Sequence, residues 1–222
     1  MLELRSVTYR YAGARGPALR DASLRVGDGE IVGLVGANEA GKTTTCLVAS
    51  GLAPASIGGE LSGAVVLDGQ PITARRPAEL AGLTAILLAD GSTQRTGMTG
   101  TVLEEIAFGP VNLGLAVAET LDRVRWAMAA LGIGDLAERH PAQLSGGQAR
   151  LVTIASILAM RPALLVLDEP LGELDAAGRE RLAGALGGLA HEGTSILVAE
   201  HDMTFLAATC GRIVKVREGR LE

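Results

Sequence analysis

Apolar positions recur along this chain with two different periods. The opening LELRSVTYRY and the later ASLRV alternate apolar with polar side chains, as half-buried antiparallel strands do. EIVGLVG, Glu30 to Gly36, is a short continuous apolar run ending in glycine and reads as a buried strand. Residues after Lys42 favour a helix to about Ser50, and AVVLDG predicts a strand with a turn at Asp68-Gly69. TAILLA, Thr84 to Ala89, reads as a core strand. From Val102 to about Gly132 the spacing changes: VLEEIAF and AETLDRVRWAMAAL place apolar side chains three and four apart, which predicts helix. SGGQARLVTIASILAM predicts a third helix with glycines at its start, and ALLVLDEP an apolar strand ending in acids. DAAGRERLAGALGGLAHE puts Leu182, Ala185, Leu186 and Leu189 on one helical stripe. SILVAEH reads as a last core strand and RIVKV closes the chain.

Strands alternating with helices predict an α/β fold: a mostly parallel core sheet covered on both faces, with an antiparallel β subdomain at the N-terminus. The helical run from about Thr93 to Gln143 interrupts that rhythm and reads as a small helical subdomain inserted into a single domain spanning 1–222. The 222 residues are 48% hydrophobic, ample for a packed core. A net charge of −5 leaves no globally basic footprint, so nucleic acid is not an expected partner. Cys46 and Cys210 give no metal spacing and no disulfide framework, and are expected as reduced thiols. The N-terminus carries Glu3 and alternates like a strand, unlike a signal peptide. The apolar stretch Leu151 to Met160, bounded by Arg150 and Arg161, falls short of the about 20 residues a membrane span needs, and reads as a buried helix.

Candidate chemistry begins at GANEAGKT, Gly36 to Thr43. It matches G-x-x-x-x-G-K-[ST] between a predicted strand and a predicted helix, the context that gives the pattern physical meaning. Glycines let the backbone curl so that successive N–H groups and the helix N-terminus form an anion nest for phosphates. Lys42 would reach the β- and γ-phosphates and the Thr43 hydroxyl would ligate Mg²⁺. Glu39 puts a carboxylate beside a negative ligand. In water its repulsion is screened to roughly 1 kcal/mol or less. A positive φ at that residue would cost another ~1–2 kcal/mol. Several charge-assisted hydrogen bonds, each about 1.5–3 kcal/mol, outweigh both, so phosphate binding is expected to survive.

LLVLDEP supplies Asp168, placed to hold Mg²⁺ through water, and Glu169, placed to polarise an attacking water. LSGGQ, Leu144 to Gln148, opens a helix with a serine and two glycines, a second anion-binding helix start. Two phosphate sites for one nucleotide suggest a dimer in which one subunit's serine-glycine turn closes on the nucleotide held by the other.

The ordered set GANEAGKT, LSGGQ, LLVLDEP, ELD and a late histidine resembles the nucleotide-binding domain of ABC ATPases, over essentially the whole chain. The resemblance implies a P-loop NTPase fold of the ABC type, ATP and Mg²⁺ as ligands, and a role for each matching residue. Tyr11 would stack on adenine. Asn38, Glu39, Ala40, Gly41, Lys42, Thr43 and Thr44 would wrap the phosphates. Ser145, Gly146, Gly147 and Gln148 would meet the γ-phosphate across the dimer, and Asp175 would belong to the loop crossing between subunits. His201 would contact the γ-phosphate and help Glu169 orient water. His140 and His191 lack such context and are expected on the surface. A narrower resemblance, carried by VLEEIAFGPVNLGL and by AEHD, is to the ATPase subunits of energy-coupling factor importers, including the cobalt and nickel branch. It implies a second ATPase subunit, a transmembrane coupling protein, a substrate-binding membrane subunit, and a place on the cytoplasmic face of the membrane.

The sequence departs from the family at one functional position. Ala89 stands where the family usually has a metal-touching glutamine; Gln94 aligns with a second glutamine and is not a replacement, and Gly100 and Thr101 look like a small insertion. Hydrolysis would then be slow or poorly coupled, which keeps open a weakly hydrolysing half of a heterodimeric pair. A soluble ABC ATPase acting on nucleic acid or ribosomes is a further alternative, disfavoured by the absence of a basic stripe. The chain ends at GRLE without the extension that many energy-coupling factor ATPases carry, consistent with a compact subunit, a shortened chain or half of a tandem protein.

Overall fold

Strands β1 (Leu2–Arg10) and β2 (Leu19–Val26) pair antiparallel, as the alternation requires. In this computed structural model, which describes residues 1–73 and 75–222, the alternation changes phase part-way along β1. Leu2 and Leu4 are buried, then Val7 and Tyr9. A bulge with Ser6 at φ 48° supplies the extra residue that moves the apolar set from even to odd positions.

β3 (Ile31–Val35) leads into α1 (Lys42–Ala49), followed by β4 (Glu60–Leu67), β5 (Gln70–Pro71), the single turn α2 (Pro77–Leu80) and β6 (Thr84–Leu87). Next come α3 (Val102–Asn112), α4 (Val117–Ala130) and α5 (Gly146–Leu158). The chain closes with β7 (Leu164–Asp168), α6 (Ala176–His191), β8 (Ser195–Ala199), α7 (Met203–Thr209), β9 (Arg212–Arg217) and β10 (Arg220–Leu221). One sheet runs β2-β1-β4-β5 and is antiparallel; the other runs β10-β9-β3-β8-β7-β6 and is parallel except at β10.

The parallel strands are buried on both faces, so periodicity vanishes from their sequences although it persists in space. Val32, Leu34, Leu164, Val166, Leu197 and Ala199 face a core shared with α1 and the antiparallel sheet. Ile31, Leu165, Leu167, Ile196 and Val198 face a second core built with α5, α6 and α7. The stripe Leu182, Ala185, Leu186 and Leu189 is buried in that second core, as its spacing predicts. Val102, Ile106, Val124 and Met128 of α3 and α4 join the same core, so the helical insert has no separate interior.

The structure refines four of these readings. TAILLA forms the outermost strand of the parallel sheet, and only through Leu87, so it is an edge and not a centre. The run from Val102 to Gly132 is two helices, parted where Gly114 takes φ 77°. Arg150, which bounds the apolar stretch in the sequence, lies inside α5, as SGGQARLVTIASILAM predicts, and is buried. Thr101, expected as part of an insertion, is the N-cap of α3, bonded reciprocally with Glu104. Cys46 and Cys210 are both free, and His140 and His191 are exposed, as expected.

Candidate nucleotide site

The three central strands end level with one another. Leu34 of β3 lies beside Ala199 of β8, and Ala199 lies beside Asp168 of β7. The residues that follow each strand therefore leave one edge of the sheet together, the place where open α/β sheets bind ligands. They are Gly36 onward, Glu169, and the pair Glu200-His201. A cavity of about 670 Å³ opens there, lined by Gly36, Ala37, Asn38, Glu39, Gly41, Lys42, Thr43 and Thr44, and by Glu169 and His201.

The loop's shape follows from its glycines. A Cβ at Gly36 would lie 2.3 Å from the carbonyl oxygen of Val216, so no larger residue fits without moving β9. Gly41 takes φ 112°, which side chains rarely adopt. Glu39 does adopt a positive φ of 63°, with its side chain exposed. Lys42 is only 6% exposed, and its Nζ donates to the carbonyl oxygens of Gly36 at 2.9 Å and Ala37 at 3.2 Å. Among the described residues no carboxylate lies within ion-pair distance of it. A buried ammonium held by carbonyls alone calls for an anion, and the cavity is where one would enter.

Beneath the loop, Asp168 is buried with both carboxylate oxygens lacking a hydrogen-bond partner. Burial pushes its carboxyl above the ordinary range; Glu169 and Glu200 add to this, while the Thr43 hydroxyl and Lys42 act against it, Thr43 without reaching full hydrogen-bond geometry. Two orphaned hard oxygens and a neighbouring exposed threonine hydroxyl fit Mg²⁺, which takes one or two protein oxygens and fills its remaining positions with phosphate and water. Among the described residues no group of three His, Cys, Asp or Glu side chains is placed to hold a metal ion.

Not every expected residue lines this cavity. Ala40 is buried below it, with its N–H bonded to Ala37 and its carbonyl taken by Gly219. Tyr11 stands to one side: its hydroxyl lies 3.1 Å from that of Thr44 and its ring meets Tyr9 edge-on, centroids 4.9 Å apart. Ser145, Gly147, Gln148 and Asp175 line a separate cavity of about 420 Å³. Ser145 and Gln148 form the reciprocal cap of α5, while Asp175 caps α6 by accepting from the Gly178 N–H at 2.7 Å. The phosphate loop and the serine-glycine turn thus line different cavities of one chain.

Two supporting residues escaped sequence reasoning. Glu200 is fully buried; it accepts from the N–H groups of Leu171 at 3.0 Å and His201 at 2.9 Å, and lies 3.3 Å from Nδ1 of His201. It fastens the turn after Glu169 to the histidine. An acid closing an apolar strand was its only signal. Arg150 donates to the carbonyls of Leu88, Ala89 and Glu169. Ala18 also lines the first cavity, and a small apolar residue in a turn carries no signal at all.

The sequence profile of ABC transporters matches residues 19–172. The chain belongs to the ABC transporter ATPase family. The cobalt import ATP-binding protein CbiO of Rhodobacter capsulatus is 40% identical over 224 aligned positions, covering 100% of this chain and 77% of that protein. The energy-coupling factor transporter ATP-binding protein EcfA1 of Streptococcus thermophilus is 33% identical, covering 100% and 78%. Among solved structures, cbiO1 from Clostridium perfringens, part of the ABC transporter complex cbiONQ, superposes with a TM-score of 0.84 at 29% identity, covering 100% of this chain and 86% of that one. The dimeric ABC transporter cassette MJ0796 shares the fold with a TM-score of 0.87 at 24% identity, covering 100% and 97%. This ABC ATPase binds ATP with Mg²⁺ and hydrolyses it. Among its described residues no helix is long and apolar enough to cross a membrane.

Proposed function

We propose that this ABC ATPase powers an importer of energy-coupling factor type, taking up a micronutrient such as a vitamin or a transition-metal ion. It works as one of two ATPase subunits, identical or not, on the cytoplasmic face of the membrane. A transmembrane coupling protein and a substrate-binding membrane subunit complete the assembly. The names of the cobalt import and energy-coupling factor relatives support this reading. So does the apolar surface near α3, where Phe108 is 41%, Val111 58% and Met98 76% exposed, which suits the helices of a membrane partner.

The observation that carries the site is the single cavity shared by the phosphate loop, Glu169 and His201. Loop amides and Lys42 hold the triphosphate. Thr43 and Asp168 would hold Mg²⁺, which would supply positive charge to offset that developing on the phosphates. Glu169 accepts a proton from the attacking water, and His201, braced by Glu200, orients it from the other side. Tyr11 supports the base end of the nucleotide. Ser145, Gly146, Gly147, Gln148 and Asp175 of one subunit complete the site of the other, so that ATP closes the pair and phosphate release reopens it.

Glu169→Gln tests this reading. It should keep ATP affinity, accumulate closed dimer, and lose at least about a hundredfold in turnover, since such a group supplies 10²–10⁴. Steady-state hydrolysis within about tenfold of the parent overturns the base assignment. A second reading, a half-site that holds ATP and turns it over slowly, rests on Ala89, whose side chain offers no ligand.

A further inference from the structure

The turn that follows β6 holds its shape by gripping side chains rather than by pairing with a strand. Gln94 folds back onto the end of this edge strand, accepting from the Leu88 N–H at 2.7 Å and donating to the Ile86 carbonyl at 2.8 Å. On its inner side the turn wraps the head of Arg150. Nη1 donates to the carbonyls of Leu88 at 3.1 Å and Ala89 at 3.2 Å, and Nη2 donates to the carbonyl of Glu169 at 2.7 Å. Arg150 is 7% exposed, and its head fits so closely that a Cβ on Gly91 would sit 2.5 Å from Nη1.

This is an unusual use of an arginine. Its charge lies among Glu173, Glu200, Asp168 and Asp90, yet among the described residues its hydrogen bonds go to main-chain carbonyls. Carbonyl partners fix backbone, and the fork of the guanidinium fixes two backbones at once. One of them belongs to Glu169, which sits at φ 49°, a conformation the surroundings must enforce. Any shift of the 88–91 turn is passed through one rigid planar group to the residue proposed as the base.

We infer that Arg150 is a positioning residue for hydrolysis: it couples the 88–91 turn to Glu169, so that the carboxylate is aimed only when that turn is in place. The side chain of Ala89 does nothing for the nucleotide, but its carbonyl ties this turn to the catalytic edge of the sheet. Arg150 does not itself line the cavity that takes ATP and reaches it only through the main chain of Glu169, so its loss should leave ATP binding intact while misdirecting Glu169. Misplacement on the ångström scale costs up to about a hundredfold in rate.

The inference rests on Glu169 acting on the attacking water, and the two fail separately. The tests use the complex purified by a tag on this chain, with steady-state hydrolysis and ATP binding measured for Arg150→Gln, Arg150→Lys, Gly91→Ala and Glu169→Gln. Arg150→Gln should lower kcat about ten- to a hundredfold with KM for MgATP within about twofold. Arg150→Lys, one ammonium in place of a fork, should fall between it and the parent. Gly91→Ala leaves Arg150 in the sequence and displaces only its head, so it should lower kcat in the same direction. If Arg150→Gln does not fold, Gly91→Ala decides by the same criteria. Unchanged kcat in the folded variants overturns the inference; so does a joint loss of turnover and ATP binding, which would make the arginine a fold support. If Glu169→Gln keeps its turnover, the base assignment fails and takes this inference with it; if only Glu169→Gln loses turnover, this inference alone fails.

Discussion

Asp168→Asn separates what a residue does for the fold from what it does for the ligand. In the nucleotide-free chain both oxygens of this buried carboxylate lack partners. An unsatisfied buried neutral group costs about 1–3 kcal/mol and a charged one more. The amide keeps the shape and removes the charge, but is itself unpaired and gives up the attraction of Lys42, so about 1–2 kcal/mol should be recovered. For 222 residues that is a melting temperature higher by roughly 2–8 °C at neutral pH in EDTA. The sign with pH follows from the raised carboxyl. Between its ordinary value, about 3.9, and its folded value, the folded chain binds a proton that the unfolded chain does not. Its contribution to stability is therefore full below the ordinary value and is lost as pH rises through the folded one. The advantage of Asp168→Asn should shrink as pH falls through that window. MgATP should reverse the ranking: the parent regains a ligand for its orphaned oxygens and melts higher, while the variant gains little over ATP in EDTA. A variant that melts no higher than the parent in EDTA at neutral pH, or that gains as much from Mg²⁺, refutes the reasoning.

Glu39→Gly should raise ATP affinity by less than about a hundredfold in an equilibrium titration, because the carboxylate is exposed and screened; a larger gain means it intrudes on the phosphates. Gly36→Ala should lose ATP binding and about 1–3 kcal/mol of stability by denaturant titration, since its Cβ would lie 2.3 Å from the Val216 carbonyl; unaltered binding would mean that β9 yields freely. Ser145→Arg should keep ATP affinity within about threefold and lose ATP-dependent dimers in light scattering, because the serine lies outside the phosphate-loop cavity; lost ATP affinity in the monomer would place it in the same site. Burial pushes the thiol of Cys46 well up and that of Cys210 to about 11, so at pH 8 the native chain should react with iodoacetamide far more slowly than the unfolded chain, read by mass spectrometry.

Legibility in the sequence followed how tightly physics restricts residue type. Gly36 and Gly41 had to be glycine because a carbonyl and a left-handed turn leave room for nothing else, so the loop announced itself. Ser145 and Asp175 are helix caps as well as candidate contacts, and caps admit few residue types. The uniformly apolar strands declared burial on both faces but concealed which side chains meet which core. Whether TAILLA sat at the centre or the edge was not readable, since sheet order depends on long-range pairing. Arg150 and Glu200 were illegible for a different reason. Each works through main-chain partners distant in sequence, and an arginine inside a helix or an acid after a strand is compatible with many roles.

The two kinds of residue meet at Glu169. Its carboxylate needs a position that no single strand can impose, because it stands one residue beyond β7 with φ 49°. Its N–H is held by the Ala199 carbonyl of the neighbouring strand, its own carbonyl by Arg150 of α5, and the turn after it by Glu200 through Leu171. Each anchor comes from a different element, and each element also carries something that a partner or ligand would move: the 88–91 turn against Arg150, the serine-glycine turn at the head of α5, the histidine next to Glu200. A base held in this way is aimed only when all of them agree. That is the behaviour the proposed function requires, with hydrolysis withheld until nucleotide, second subunit and membrane partner are all in place, and it would arise from hydrogen bonds to backbone carbonyls and amides that carry no mark in the motifs.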